Sequence, residues 1–432
     1  MSNNKKTFSI HTLGCKVNSY ESNIIIDSCL KKGYEKVDFG QESDICIVNT
    51  CAVTGESARK SMQFVRRAKR KNPDCILVVA GCYVQVGELD KLILADIIIG
   101  SKHKSNIADY IEEFQVTDKK IIAIEDLAKE CEFEKMSTDY TENTRATIKI
   151  QDGCNNFCSY CIIPYARGRI RSKSIQEAYE EIYELVARGY KEIVLTGIHL
   201  DSYGNERGEF DLCDLLEKID TIKGLERIRL GSLEPIFITD KNIKRLEKIE
   251  NLCPHFHLSL QSGCDETLKR MNRRYTTNDF EIAVNKLRDT FVDVAITTDV
   301  IVGFCGETEE EFEKSLSFVD KIGFSKVHVF PFSERKGTRA YEMPNKIDKS
   351  IKNERVEQMT IIAKRGEEKF LNKMVGKNYS ILIEKVSEKY CEGHTKNYIK
   401  VKAPNLNCKE NTIRIIKIKE VNNGECIGDV IN

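Results

Sequence analysis

The chain has 432 residues, enough for two or three domains with full cores. Its 67 Lys and Arg balance 67 Asp and Glu, so no overall field marks a nucleic-acid binder, and any such case rests on local patches. The opening MSNNKKTFSI lacks an apolar signal core and no run approaches membrane-spanning length. The expectation is therefore a cytoplasmic protein with no membrane partner, whose seventeen cysteines stay reduced. Clustered thiols in that setting mean metal or redox chemistry, and the others act as small hydrophobes.

Residues 1–115 alternate strand and helix patterns, with strands expected at 8–12, 44–50, 76–80 and 96–99 and helices at 19–30, 57–70 and 86–94. That is an open α/β sheet in outline. Cys15, Cys51 and Cys82 each stand just past a strand end, in TLGCKVNSYES, VNTCAVTGESARK and VAGCYVQ. Carboxyl ends of strands form the ligand crevice of such sheets, so three thiolates converging there make a site for an iron–sulfur cluster. Cys29, Cys46 and Cys75 fall inside elements and read as packing residues. A dinucleotide site would want G-x-G-x-x-G after the first strand, where Gly14 stands alone, and a cobalamin loop Asp-x-His-x-x-Gly is missing. The 57–71 segment carries Arg59, Lys60, Arg66, Arg67, Lys69, Arg70 and Lys71. It reads either as a solvated face or as a contact for a phosphate backbone.

Residues 116–143 are polar and acidic and read as a linker with one short strand at 121–124. Residues 144–370 give six strand candidates, 146–150, 192–196, 227–231, 256–261, 295–302 and 326–330, with helical stretches between them. Capping pairs Ser174/Glu177 and Thr308/Glu311 open two of those helices, and Gly189 and Gly323 close them. This alternation predicts a parallel, partial (β/α)6 barrel of TIM-like type, with its site at the strand carboxyl ends. TGIH at 196–199, LQSGC at 260–264, GFCGET at 303–308 and FPFSERKGT at 330–338 fall at those ends.

The loop after the first barrel strand holds Cys154, Cys158 and Cys161 as C-x3-C-x2-C. Three thiolates in eight residues fill three corners of an iron–sulfur cube, and no local Cys or His supplies the fourth donor that zinc would want. Structural cysteines, or a zinc knuckle completed from far away, are the plainer readings. CPHFH at 253–257 invites a zinc reading too, but Cys253, His255 and His257 alternate along a strand and read as structural. Residues 371–432 break into short alternating strands of a small all-β, OB-like barrel. Eleven Lys and Arg against seven Asp and Glu there, with Tyr390 and Tyr398, are compatible with RNA binding.

Together GCKVNSYES, NTCAVTGESARK, AGCYVQ and GCNNFCSYCIIPYARGRIRS resemble the radical S-adenosylmethionine (SAM) methylthiotransferases along essentially the whole chain. The resemblance implies an N-terminal three-cysteine domain, a radical SAM barrel and a C-terminal TRAM domain. It implies two 4Fe–4S clusters, with Cys154, Cys158 and Cys161 holding the radical-generating one and Cys15, Cys51 and Cys82 an auxiliary one that carries the sulfur. One SAM would donate a methyl group and a second would supply the radical. TLGCKVNSYE with NTCAVT looks most like the branch acting on N6-threonylcarbamoyladenosine next to the tRNA anticodon. Branches acting on isopentenyl-adenosine tRNA or a ribosomal-protein aspartate carry other residues after the first cysteine. A non-catalytic iron–sulfur RNA-binding regulator is the alternative from another class. Implied partners are tRNA and a low-potential electron donor such as flavodoxin or ferredoxin. Gly197, Gln261, Ser262 and Gly303, at strand ends, are the candidates for binding SAM, and Arg167, Arg169 and Arg171 for meeting RNA phosphates. Cys305 departs from the family's GFPGET and leaves that loop's geometry open.

Overall fold

The computed structural model describes residues 5–138, 140 and 144–431; Asp139 and 141–143, in the expected linker, lie outside them. The N-terminal part is a six-stranded, wholly parallel sheet. Its order is Glu35–Lys36, Thr7–Thr12, Ile45–Thr50, Ile76–Gly81, Ile97–Ile99, Ile121–Ala123. The apolar central strands explain this: Ile45 and Ile47 pack into one buried cluster, Cys46 and Val48 into another on the opposite face. The last strand falls in the segment expected as a linker, where it closes one edge of this sheet. The helix expected at 86–94 is not formed. Cys82–Val86 is helical, Gly87 leaves in extended geometry, and only a 3-10 turn, Leu89–Leu92, follows.

Six parallel strands form the central module: Ala146–Lys149, Glu192–Thr196, Arg227–Leu233, His255–Leu258, Ala295–Val302 and Lys326–Pro331. The third is interrupted at Gly231, with its first half paired to one neighbour and its second half to the next. First and last strands are not paired with each other, so the barrel is open. Both expected capping boxes are present, and Gly323 ends its helix in the left-handed conformation that glycine adopts without strain. The helix Lys349–Asn372 packs along the last strand and covers that edge. Alternate strand residues Ile193, Leu195, Ile228, Phe256 and Leu258 face the helices, leaving Glu192, Arg227, Arg229, His255 and His257 toward the lumen.

The C-terminal strands Asn378–Val386, Tyr390–Thr395, Lys400–Pro404, Glu425–Val430 and Ile413–Asn422, in that spatial order, close into a barrel. It docks on the central module through two buried arginines. Arg227 donates to the carbonyls of His394 and Ser380 (both 2.8 Å), and Arg229 to that of Lys396 (3.0 Å). Glu192 pairs with both arginines (2.7 Å to Arg229). Tyr398 is therefore not a surface aromatic for RNA: its ring stacks on His394 (4.8 Å between centroids) beneath Arg229 and Arg145. Tyr390 remains exposed, with the Lys402 ammonium over its ring at 3.6 Å.

The N-terminal and central modules are joined by a buried ion network around Glu21, on the helix Lys16–Lys31. Its carboxylate pairs with Arg167, Lys104 and Lys149 (2.9 Å), all fully or almost fully buried. Lys149 also reaches Asp152 at 2.6 Å. Burial alone would raise the Glu21 carboxyl, but the three cations outweigh it and hold it well below the usual carboxylate range. Removing one partner of a buried pair leaves the others uncompensated. Glu21→Gln should lower unfolding stability by about 3–5 kcal/mol in denaturant titration; an unchanged midpoint would show the network to be energetically idle.

Candidate metal centres

Thr7–Thr12, Ile45–Thr50 and Ile76–Gly81 are consecutive neighbours in a parallel sheet, so their carboxyl ends align. Cys15, Cys51 and Cys82 follow those ends, one per strand, at strand spacings of about 4.8 Å. Gly14 permits the close approach: its φ is +103°, and a Cβ there would stand 2.8 Å from the Cys51 sulfur. The Cys51 amide donates to Ser61 Oγ (3.2 Å), which ties its loop to the helix Gly55–Lys71. Burial raises the thiols of Cys15 and Cys51, and the charge of Cys82 acts on both in the same direction. The three thiols are thus one electrostatic group.

The second triad lies on the loop after Ala146–Lys149. Gly153 has φ +72° with its Cα against the Arg169 carbonyl, a position only glycine fits. The loop is clamped from both sides: the Cys154 amide donates to Gly168 O (3.0 Å), Ser159 N to Met271 O (3.0 Å), and Ala340 N to Ser159 O (2.7 Å). Burial pushes Cys154 up to about 11 and Cys161 up to about 12. Such thiols ionise only against a cation.

The donor chemistry fits iron–sulfur clusters better than zinc. Tetrahedral zinc at 2.3 Å from sulfur holds its thiolates about 3.8 Å apart. Among the described residues no three cysteine sulfurs stand within 4.8 Å of one another, and all seventeen cysteines are free thiols. Cys253, His255 and His257 form no metal set either: His257 Nδ1 meets Thr297 Oγ1 at 3.0 Å and His255 lies in the lumen.

The triads adjoin. Arg167 ends the short helix Ile163–Arg167 that follows Cys161, and its Nε donates to Cys82 Sγ at 3.1 Å. The same guanidinium meets Asn18 Oδ1 (2.7 Å) and Glu21. Ile162 and Ala166, just past Cys161, share a buried cluster with Ala52, Cys82 and Tyr83. Gly55 N donates to Ser333 Oγ (2.9 Å), bringing the loop after the last barrel strand to the first triad. Arg167 and Arg171 are hence interior residues unavailable to phosphate; Arg169 is exposed, over the Phe157 ring.

The candidates for SAM binding all line this end of the barrel. Gly197 packs against Gln151, whose Oε1 accepts from the His199 amide at 2.8 Å. Gln261 has φ +68° and bridges to the neighbouring strand through Asp299 O and the Ile301 amide. Ser262 Oγ accepts from Cys264 N (3.3 Å), and the Gly303 amide donates to the Glu307 carboxylate, so both groups are engaged within their loops. Cys305 is buried against Phe304, Phe332 and Ala340, and burial raises its thiol. Two members of a further cluster beside the second triad, Arg273 and Glu234, escaped sequence reasoning. Arg273 Nη1 donates to Cys158 Sγ (3.2 Å) and Nη2 pairs with Glu234 (2.8 Å). Asn156 Nδ2 reaches Glu234 (3.0 Å) and His199 Nε2 (3.1 Å), and His199 lies 3.3 Å from Asp201. Burial pushes Asp201 up to about 6; it opposes charge on His199, but Glu234 and Asp201 outweigh it and raise the imidazole. Glu234 stands directly after a strand end, the only signal that pointed to it.

Comparison with known proteins agrees with this layout. The profile of the Radical SAM superfamily matches residues 148–319, and that of the uncharacterized protein family UPF0004 matches residues 7–100. The threonylcarbamoyladenosine tRNA methylthiotransferase MtaB of Bacillus subtilis (strain 168) is 39% identical over 91% of this chain and 90% of its own. That of Chlamydia pneumoniae is 38% identical over 99% of both chains. A tRNA-2-methylthio-N(6)-dimethylallyladenosine synthase of Clostridium tetani is 35% identical over 88% of this chain and 86% of its own. Among solved structures, the radical SAM methyltransferase TsrM from Kitasatospora setae shares the fold, with a TM-score of 0.55 at 14% identity, covering 75% of this chain and 72% of that one. The chain is thus a radical SAM enzyme. It belongs to the radical SAM tRNA methylthiotransferases, whose cofactors are SAM and 4Fe–4S clusters.

Arg273 offers a direct check on the second triad. Arg273→Met removes a cationic donor from Cys158 and leaves Glu234 without its arginine. The potential of an iron–sulfur cluster held there should fall, because hydrogen bonds to the sulfurs help set it. A redox titration followed by electron paramagnetic resonance reads this shift.

Proposed function

We propose that this enzyme adds a methylthio group to C2 of N6-threonylcarbamoyladenosine next to the anticodon of tRNA. The supporting observation is the adjacency of two three-thiol groups, linked through Arg167 and the buried cluster around Cys82, Ile162 and Ala166. The names of the relatives at 37–39% identity support the choice of substrate. In this reading Cys154, Cys158 and Cys161 hold one 4Fe–4S cluster and Cys15, Cys51 and Cys82 the other. When bound, the first cluster with SAM supplies a 5′-deoxyadenosyl radical, and the second carries the sulfur that is methylated and transferred.

The chain's own residues prepare the site for that chemistry. Arg273 and Arg167 neutralise charge at Cys158 and Cys82 and fix their sulfurs in place. Gly197, Gln261, Ser262 and Gly303 shape the strand-end loops against which SAM is held. The buried Glu21 network keeps the two thiol groups at one separation. A loop adenosine splayed from the anticodon enters the cleft at modest cost. Along the helix Gly55–Lys71, Arg66, Arg67, Arg70 and Lys71 are exposed, and Glu56 pairs with Arg59 and Lys60 at its start. That exposed basic face suits the phosphates of the stem. A low-potential donor such as flavodoxin or ferredoxin delivers the electrons.

Oxygen-free protein should carry about eight iron and eight sulfide per chain. Cys51→Ser should halve that content and abolish sulfur insertion while 5′-deoxyadenosine is still released from SAM; Cys158→Ser should abolish both. Mass spectrometry of tRNA nucleosides from a deletion strain should lose only the 2-methylthio form of threonylcarbamoyladenosine. Loss of the dimethylallyl counterpart instead would assign the enzyme to that substrate, and intact clusters that release no 5′-deoxyadenosine would leave a regulator.

A further inference from the structure

One ammonium between the modules makes no ion pair. Lys16 follows Cys15 directly, in the first turn of the helix Lys16–Lys31, and is exposed. Among the described residues no hydrogen bond or ion pair engages it. The charges acting on it are those of Arg229, Arg145 and Glu192. Glu192 is already taken, by Arg229 at 2.7 Å and Arg227 at 3.4 Å. Arg145 and Arg229 stand over the Tyr398 ring (4.9 and 4.6 Å) at the floor of the same lumen, and His255, 5.0 Å from that ring, has an unpartnered Nδ1. Arg145 meets Glu384 at 3.4 Å, and Arg229 and Arg227 share Glu192, so among these cations Lys16 is the one without an ion pair.

The two modified adenosines named among the relatives differ in one electrostatic respect. A threonylcarbamoyl arm ends in a carboxylate, whereas a dimethylallyl arm is hydrocarbon. Facing hydrocarbon, the Lys16 ammonium would lose hydration without recompense; facing a carboxylate, it gains a charge-assisted bond in a protected site. Discrimination by such a bond is far larger than by fit alone. Resting on the function proposed above, we infer that Lys16, backed by Arg229 and Arg145, receives the carboxylate of the N6 substituent and sets which modified adenosine the enzyme accepts. Lys16 is a specificity residue and leaves the reacting carbon to the cofactors.

The test uses the full chain with both clusters, as wild type, Lys16→Gln and Lys16→Arg. Three anticodon stem-loop RNAs carry threonylcarbamoyladenosine, its neutral carboxamide, or plain adenosine at the target position. Binding is read by fluorescence anisotropy and methylthiolation by mass spectrometry. Wild type should bind the carboxylate RNA about 10- to 100-fold more tightly than the carboxamide. Lys16→Gln should lose that margin while binding the carboxamide as before, and Lys16→Arg should retain most of it. Equal weakening toward all three RNAs, or a wild type indifferent to the carboxamide, would overturn the assignment of Lys16. A wild type that binds the carboxylate RNA preferentially yet methylthiolates none of the three would count against the proposed function and not against the role of Lys16.

Discussion

A single buried carboxylate, Glu21, decides how the two thiol-bearing modules meet. It comes from the N-terminal sheet module, and two of its three cations, Arg167 and Lys149, come from the barrel. Taking four charges out of water is costly, and apolar packing would join two modules with less penalty. What the ions supply is registry: each bond has one partner and one direction. Arg167 makes this explicit, since one guanidinium is bonded to Glu21, Asn18 and the sulfur of Cys82. The separation of the two thiol groups is thereby fixed by short, directional contacts.

The same device recurs at the other end of the barrel. Arg227 and Arg229 are anchored on Glu192 and reach carbonyl oxygens of the C-terminal barrel. Alternation along the strand points both into the lumen, where a purely structural barrel would be filled by apolar side chains. The interior is polar instead, floored by Tyr398 and lined with histidines.

Much of this was legible from the sequence for local reasons. Cysteines after strand ends, capping pairs such as Ser174/Glu177, and alternating strands all write their signals within a few residues. The six barrel strands and the sheet carrying Cys15, Cys51 and Cys82 accordingly form as expected. Arg167 misled, because its partners Glu21 and Cys82 are 146 and 85 residues away, and a lone arginine in a basic run looks solvated. Tyr398 misled for the same reason, its neighbours Arg145 and Arg229 being far off in the chain. Glu234 and Arg273 carried no motif. The helix expected at 86–94 failed at Gly87, a local signal that the apolar run around it outweighed in the reading.

The bond between Arg167 and Cys82 bears on how such chains diverge. The sheet module and the barrel look like separable cassettes, each complete in its own architecture. A hybrid that took one from this chain and the other from a chain with different residues at these positions would keep either Glu21 or Arg167 and lose the bond between them. A change at Glu21 or Lys104 on one side therefore calls for a matching change at Lys149 or Arg167 on the other.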